Sequence, residues 1–421
     1  MKGSEKKTRP KTNDSLPSPF SRRPSGGFET FAEELRCLEQ RNLLRDLPLT
    51  ESCRGSKILI NGQEFLNFSS NDYLGLSGHP RIMEAAVRAV NKYGFGSGGS
   101  RLLSGTHAPH RRLEERIAEF KKTEAALVFN TGYAANTGII PAVAGKEAEI
   151  FSDELNHASI IDGVRLSGAG VNIYRHKDMN HLEDLLREKS KCRAAARRLI
   201  VTDTVFSMDG DIAPLEDIVM LSRRYDALLM IDDAHATGVI GKTGRGGLEH
   251  FGIRPEHVIQ MGTLGKAAGC FGAFVAGGKD LIRLLINRAR SFMYSTSLPP
   301  AVCEACIMAI DIIDSDSGDL RKRLWENRQR LYNGLSQLGF DTLESETPII
   351  PVMAGDAENA LEIGKHLYRN KIFAPAVRPP TVPEGRCRIR FSVTAAHSDD
   401  EIDGVADVMG RIRRGLKRGI A

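Results

Sequence analysis

Apolar residues recur along this chain in two rhythms, and the change from one to the other sets the expected architecture. Between about Thr123 and Gly277, short apolar runs follow one another: ALVFN (126–130), EIFSD (149–153), VNIYR (171–175), LIVTD (199–203), LLMIDD (228–233), VIQMG (258–262) and AFVAG (273–277). Runs that are apolar at nearly every position read as strands buried on both faces. Between them the spacing predicts helices over Ala134–Val143, Ser159–Leu166, Met179–Glu188 and Leu215–Arg224. Strand and helix in alternation imply an α/β fold, with a mostly parallel seven-stranded sheet covered on both sides.

From about Ser295 the rhythm lengthens. Helices are expected over Ala301–Asp314 and Leu320–Leu338, then the run IIPVM, a helix over Ala357–Arg369, the strand RIRFSV and a last helix. This reads as a smaller α+β C-terminal domain. At the other end, Phe28–Leu47 has helical spacing, with Phe31, Leu35, Leu38 and Leu43 as its stripe. The segment KILINGQEFLNFSS reads as a hairpin that turns at Asn61-Gly62. The expected division is a basic tail (1–27), an N-terminal helix and hairpin segment (28–75), a large domain (76–295) and the C-terminal domain (296–421).

Charge sharpens the picture at one place only. The chain of 421 residues carries a net +5, and residues Met1–Gly27 hold seven basic and two acidic side chains. The whole excess therefore sits in a tail poor in large apolar residues, which is expected to be disordered. The body is neutral, which argues against a nucleic-acid-binding domain. No apolar run is long enough for a membrane span, and no apolar segment follows the basic start as a signal peptide would need. Seven cysteines, an odd number, point to reduced thiols in a cytoplasm. Cys303 and Cys306 form a lone C-x-x-C within AVCEACIMAI, where core packing is the expected role rather than metal or redox chemistry. No metal is expected.

A parallel sheet places its ligand just beyond the carboxyl ends of its strands. The ends here are chemically rich: Asn130-Thr131-Gly132-Tyr133, Asp153 to His157, Asp203-Thr204, Asp232-Asp233-Ala234-His235 and Gly262 to Lys266. Lys266 stands first among them. A lysine at a strand end among small residues can be desolvated, which lowers its pKa and makes it nucleophilic. Asp232 there suits the protonated ring nitrogen of a flat cofactor, and His235 a ring oxygen. His157 is placed to stack on such a ring. Gly132 and Tyr133 open a helix whose N–H groups suit a phosphate, and Thr263 offers a hydroxyl to the same phosphate. Ser207 is a further polar group near a strand end. The glycine-rich GFGSGGSRLLSGTH lacks the G-K-[ST] of a P-loop. Near the C-terminus, RPPTVPEGRCRIRF offers Arg378, Thr381, Arg386, Arg388 and Arg390, of which the last three share one strand face. An arginine fork suits a carboxylate, and the sequence does not choose among them.

These residues lie in longer stretches that resemble the α-oxoamine synthases, a subgroup of fold-type-I pyridoxal-phosphate (PLP) enzymes. The matching pieces are NFSSNDYLGLSGHP, GSGGSRLLSGTHAPHRRLEE, NHASIIDG, VFSMDGDIAPL, IDDAHATGVIG, GTLGKAAG and YSTSLPP, in family order over nearly all of Phe28–Gly415. The resemblance implies PLP as cofactor, with Lys266 as its Schiff-base lysine. It implies Asp232 on the pyridinium nitrogen, His235 on the phenolic oxygen, His157 on the ring face and Ser207 beside it. Gly132, Tyr133 and Thr263 would help to hold the cofactor. Thr296 would reach the phosphate from a neighbouring subunit, making a homodimer with shared sites. Arg390 would bind the amino-acid carboxylate, and Arg45, His157 and Thr381 would contact substrate. Within the family, RPPTVP and RFSVTAAH resemble the branch of biotin biosynthesis that joins L-alanine to a pimeloyl thioester, carried by CoA or by a carrier protein. The alternatives are sister activities on glycine with acetyl-CoA or succinyl-CoA, and a non-catalytic regulator or binding module of the same fold. Departures are few: the lysine motif reads GKAAG, and Asp203 stands where glutamate is frequent.

Overall fold

A computed structural model of the chain describes residues 29–192 and 197–417. The basic tail lies outside the described residues. Two compact units are present, divided between Pro48 and Leu49. The first holds the helix Glu29–Gln40. It stops earlier than its spacing predicts because Asn42 takes a left-handed φ of 57° and Leu43 N–H turns back to Leu38 O at 2.8 Å, a C-terminal cap of the Schellman kind.

The second unit opens with β1 (Thr50–Arg54), β2 (Lys57–Ile60) and β3 (Gln63–Asn67), an antiparallel meander. The predicted turn lies between β2 and β3. Asn61 and Gly62 have φ of 48° and 69°, both left-handed, which is what a tight two-residue hairpin turn needs. The main sheet then contains β4 (Ala125–Phe129), β5 (Glu149–Asp153), β6 (Gly170–Tyr174), β7 (Arg198–Asp203), β8 (Ala227–Asp232), β9 (Val258–Thr263) and β10 (Ala273–Gly277). Their order is β4-β10-β9-β8-β7-β5-β6, and β10 alone runs antiparallel to its neighbours. All seven predicted strands form, each within one residue of its expected limits.

Alternate side chains of these strands feed different cores. Leu199, Val201 and Met230 pack under the helices Gly132–Val143 and Ala158–Ser167, with Ile139, Ile140 and Val164. Ile200, Leu229 and Ile231 face the opposite way, against Leu186, Ile218 and Leu221 from the helices Met179–Cys192 and Leu215–Arg224. Both faces are thus covered, as continuous apolar strands require.

The remaining strands are β11 (Ile349–Gly355), β12 (Ile372–Phe373), β13 (Ala376–Val377) and β14 (Cys387–Ser392). They form a small antiparallel sheet β11-β14-β13, while β12 adds parallel to β3. This sheet packs with Leu331, Leu335, Ile363, Leu367, Val405 and Met409 from three helices. The sequence rhythm assigns the helix Pro300–Ser315 to the start of the C-terminal domain. Its Cys303, Cys306, Ile310 and Ile313 join the core that also holds Val128 and Phe274 of the main sheet. Both cysteines are fully buried, in keeping with the packing role expected of them. We propose that the smaller domain is built on the helix Asp319–Gln337 and the elements C-terminal to it. Among the described residues no helix is long and apolar enough to cross a membrane.

Candidate active site at the carboxyl edge of the sheet

Asp203 and Asp232 are the last residues of β7 and β8 and stand directly opposite each other in the ladder. Both are buried. Asp232 Oδ2 accepts a hydrogen bond from Asn136 Nδ2 at 2.8 Å, and its Oδ1 accepts one from Ala234 N–H at 2.9 Å. Burial pushes the Asp232 carboxyl above its ordinary range, against the pull of Lys266 and these donors. Asp203 rises further, through burial and then through the Asp232 charge. Its Oδ2 accepts the backbone N–H of His157 at 2.7 Å. Two facing carboxyls in one dry place do not ionise independently.

Lys266 lies three residues past β9, in the turn closed by the Gly269 N–H bond to Lys266 O at 2.8 Å. Burial holds its amine below the ordinary lysine range, although Asp232 and Asp203 favour the ammonium. A desolvated lysine beside carboxylates is thus present where the sequence placed it. His157 caps the helix Ala158–Ser167, and its Nδ1 meets Ser159 Oγ at 2.8 Å. Burial, and then the Lys266 charge, lower its pKa. His235 is fully enclosed. Its Nδ1 lies 2.8 Å from Tyr73 Oη, and burial followed by the charges of Lys266 and Arg390 holds it well below the usual imidazole range. Both imidazoles therefore favour the neutral form.

Arg390, on β14, reaches this edge from the small sheet. Its Nε donates to Ser207 O at 2.5 Å and its Nη1 to Ser392 Oγ at 2.6 Å, while Nη2 lies 3.2 Å from Asn71 Oδ1 and 3.4 Å from Tyr73 Oη. Arg388, on the same face, is committed to Met208 O and Asp209 Oδ1 at 2.9 and 2.8 Å. Arg386 precedes the strand and is exposed. The structure thus separates three arginines that the sequence left equivalent.

The residues expected to bind a phosphate lie as follows. Thr131 caps the helix Gly132–Val143 by accepting Ala134 N–H at 3.0 Å. A Cβ on Gly132 would come within 2.8 Å of Thr263 Cγ2, so only glycine keeps this cradle open. Thr263 Oγ1 donates to Ala234 O at 3.3 Å. Tyr133 is half-exposed and donates its hydroxyl to Asp162. Thr296 is exposed, and its carbonyl accepts from Asn130 Nδ2 at 2.7 Å. Thr381 is exposed, with its N–H bonded to Arg378 O at 3.1 Å. Arg45 is an exposed residue of the first unit. Among the described residues no cluster of three or more His, Cys, Asp or Glu could hold a metal ion.

Some participants escaped the sequence reading. Asn136 donates to both Asp232 and Ser159 Oγ, the latter at 2.9 Å. A fully buried asparagine in the otherwise apolar helix GYAANTGIIPAV was its signal. Asn156 holds Ser152 Oγ and Val201 O, both at 2.9 Å, and accepts Asp203 N–H. Tyr73 and Asn71 had only their presence in a matching stretch to mark them.

The pattern of the aminotransferase class I and II family matches residues 63–409. The chain is 51% identical over 388 residues to the 8-amino-7-oxononanoate synthase of Geobacter sulfurreducens, covering 92% of this chain and 98% of that one. It is 45% identical to 8-amino-7-oxononanoate synthase 1 of Bacillus subtilis, covering 93% and 98%. Among solved structures, a serine palmitoyltransferase from S. paucimobilis with bound PLP-myriocin superposes with a TM-score of 0.87 at 30% identity, covering 94% of this chain and 98% of that one. An 8-amino-7-oxononanoate synthase from Francisella tularensis gives 0.73 at 28%, covering 84% and 99%. The fold is that of type-I PLP-dependent transferases. By matched residues, identity and coverage, the chain belongs to the aminotransferase class I and II family and, within it, to the 8-amino-7-oxononanoate synthases.

Proposed function

We propose that this chain catalyses the decarboxylative condensation of L-alanine with a pimeloyl thioester to give 8-amino-7-oxononanoate, a free thiol and CO₂, a step of biotin biosynthesis. In balance, alanine Cα loses its proton and its carboxyl group, a bond forms from Cα to the acyl carbonyl carbon, the C–S bond breaks, and Cα regains a proton. The observation that carries this reading is the meeting of a desolvated Lys266 with buried Asp232 at one sheet edge, under Arg390.

The cofactor is PLP, which when bound supplies an electron sink for the charge developing at Cα. The residues present fit it. Asp232 offers a buried carboxyl to a cationic ring nitrogen, and the Gly132–Thr263 cradle leaves room only where glycine stands. Lys266 would hold the cofactor, and its amine would take and return the proton at Cα. An amine held below its ordinary range is available as free base nearer neutral pH. His235, hydrogen-bonded to Tyr73, would meet the ring oxygen, His157 would stack on the ring, and Ser207 would hold it from the side. Gly132, Tyr133 and Thr263 would hold the phosphate, with Thr296 contributed by a second copy in a homodimer. Arg390 takes the alanine carboxylate, its orientation fixed by Ser207 O and Ser392 Oγ. Thr381 would contact substrate. An odd number of cysteines, expected to be reduced, supports a cytoplasmic location.

Thiol release by the PLP-loaded protein tests the reading. Release is expected with L-alanine plus pimeloyl-CoA. Release only with glycine plus acetyl-CoA or succinyl-CoA would keep the chemistry and move the specificity to a sister activity.

A further inference from the structure

His176 follows β6 in the turn leading to the helix Met179–Cys192, away from the residues assigned above. Its ring is held at both nitrogens. Nδ1 lies 2.9 Å from Asp153 Oδ1, and Nε2 lies 2.8 Å from Asp211 Oδ2. Its backbone N–H donates to Glu154 Oε1 at 2.8 Å, and the ring stands edge-on to Phe206 with centroids 4.4 Å apart. Two carboxylates, one on each nitrogen, require two N–H donors, which only the imidazolium has.

Each carboxylate belongs to a segment that builds the site. Asp153 ends β5 and shapes the loop to His157: its Oδ1 accepts Leu155 N–H at 2.9 Å and its carbonyl accepts Asn156 N–H at 3.2 Å. Asp211 closes the turn that begins at Phe206, through the Phe206 N–H bond to Asp211 O at 3.0 Å. That turn presents Ser207 O to Arg390 and Met208 O to Arg388. One ring therefore spans the His157 loop and the Ser207 turn.

We infer that His176 is a positioning residue for the amino-acid substrate, a strut that fixes the His157 loop against the Ser207 turn and, through Ser207 O, sets the direction of Arg390. The inference rests on Arg390 receiving the substrate carboxylate. The charged surroundings favour the protonated ring. Asp153, Asp211 and Glu154 face it. Lys177 Nζ stands 3.1 Å from Asp211 Oδ2 and 3.4 Å from Glu346 Oε1, which also accepts Ile212 N–H. Arg175 pairs with Asp178 beside it, and His181 Nδ1 accepts Arg175 N–H. Burial alone would lower the pKa of His176, but its hydrogen bonds and charge pairing with Asp153 and Asp211 outweigh burial and raise it to about 9. The strut is whole at neutral pH and loses one of its two bonds as pH rises through that value.

The experiment uses the PLP-loaded wild type with His176→Asn and, as a milder second variant, Asp211→Asn. Three things are measured between pH 6.5 and 10: L-alanine binding, by cofactor absorbance without acyl donor; KM and kcat for L-alanine; and PLP content. The inference expects weaker alanine binding and a KM raised about 10-fold at pH 7 in His176→Asn, the scale of one lost charge-assisted hydrogen bond. It expects kcat and PLP content to change less than KM, and the gap in KM to close above pH 9 as the wild type loses its own strut. Alanine binding equal to wild type at pH 7 in both variants overturns it. So does a loss of PLP content or kcat in step with KM, or a gap in KM that persists unchanged at pH 10. Failure of the functional reading looks different: the wild type itself would neither bind L-alanine nor release thiol with it.

Discussion

Two neighbouring carboxylates at the end of β8 meet opposite fates. Asp233 is locked into structure. Lys121 Nζ donates to its Oδ2 at 2.7 Å with both side chains fully buried, Thr204 Oγ1 donates to its Oδ1 at 2.6 Å, and Gly247 N–H adds a third contact at 3.3 Å. Among the described residues, Asp232 accepts from the amide of Asn136 and one backbone N–H, and burial raises its pKa. One charge is neutralised by a partner that the fold supplies. The other is left costly and available, which is how a site keeps a group for chemistry at the expense of stability.

The largest effect that would break this contrast is on folding. Asp233→Asn strands a buried ammonium and should cost about 3–5 kcal/mol in urea unfolding. An unchanged midpoint would mean that Lys121 finds water and the pair is not structural. Asp232→Asn should do the reverse. It should leave the cofactor-free protein as stable as wild type or more so, because a penalised charge is removed. It should lower kcat of the loaded enzyme by about 100- to 1,000-fold, the scale of a lost preorganised electrostatic contact. Wild-type turnover would dissociate Asp232 from the reaction.

The pH dependence sharpens the comparison at a third carboxylate pair. His176 has a folded pKa raised to about 9, against roughly 6.5 in an unfolded chain. Its contribution to stability is therefore full below the unfolded value and is lost as pH rises from there through about 9. Wild type should lose melting temperature over that window, and His176→Asn should lose less. Equal losses would show that other groups carry the alkaline limb. The smallest expected effect lies in the turn between β2 and β3. Gly62→Ala must hold the left-handed φ of 69° with a Cβ, and should cost about 1 kcal/mol with unchanged kcat.

The main sheet was legible because its strands are apolar on both faces, so composition alone marks them. Among the helices that were not predicted, two show the reason in their burial. In Pro80–Tyr93, Ile82, Ala85 and Ala89 are buried while Met83 and Val87 are exposed, so apolar residues lie on both faces and blur the helical period. In Ala108–Lys121 the buried face includes His110, Glu114 and Lys121. They are tolerated there because Arg101 pairs with Glu114 at 2.8 Å and Lys121 pairs with Asp233. A reading that equates polar with exposed misses such a face.

The site followed the same division. Lys266, Asp232, His235 and His157 could be named because they sit at strand ends, where a parallel sheet directs its ligand. Asn136, Tyr73 and His176 act through contacts between residues far apart in sequence, the Tyr73–His235 bond among them, and no local pattern carries such a pairing. Arg390 was one of several arginines until its neighbours on β14 and the Ser207 turn assigned each a different partner.

The measurement that tests the central claim most directly is borohydride reduction of the PLP-loaded protein, followed by proteolysis and mass mapping of the labelled peptide. The account predicts one labelled peptide, containing GTLGKAAG, with the added mass on Lys266 and none in Lys266→Ala. Label on another lysine, or equal label in Lys266→Ala, would contradict the assignment of this sheet edge as the catalytic centre.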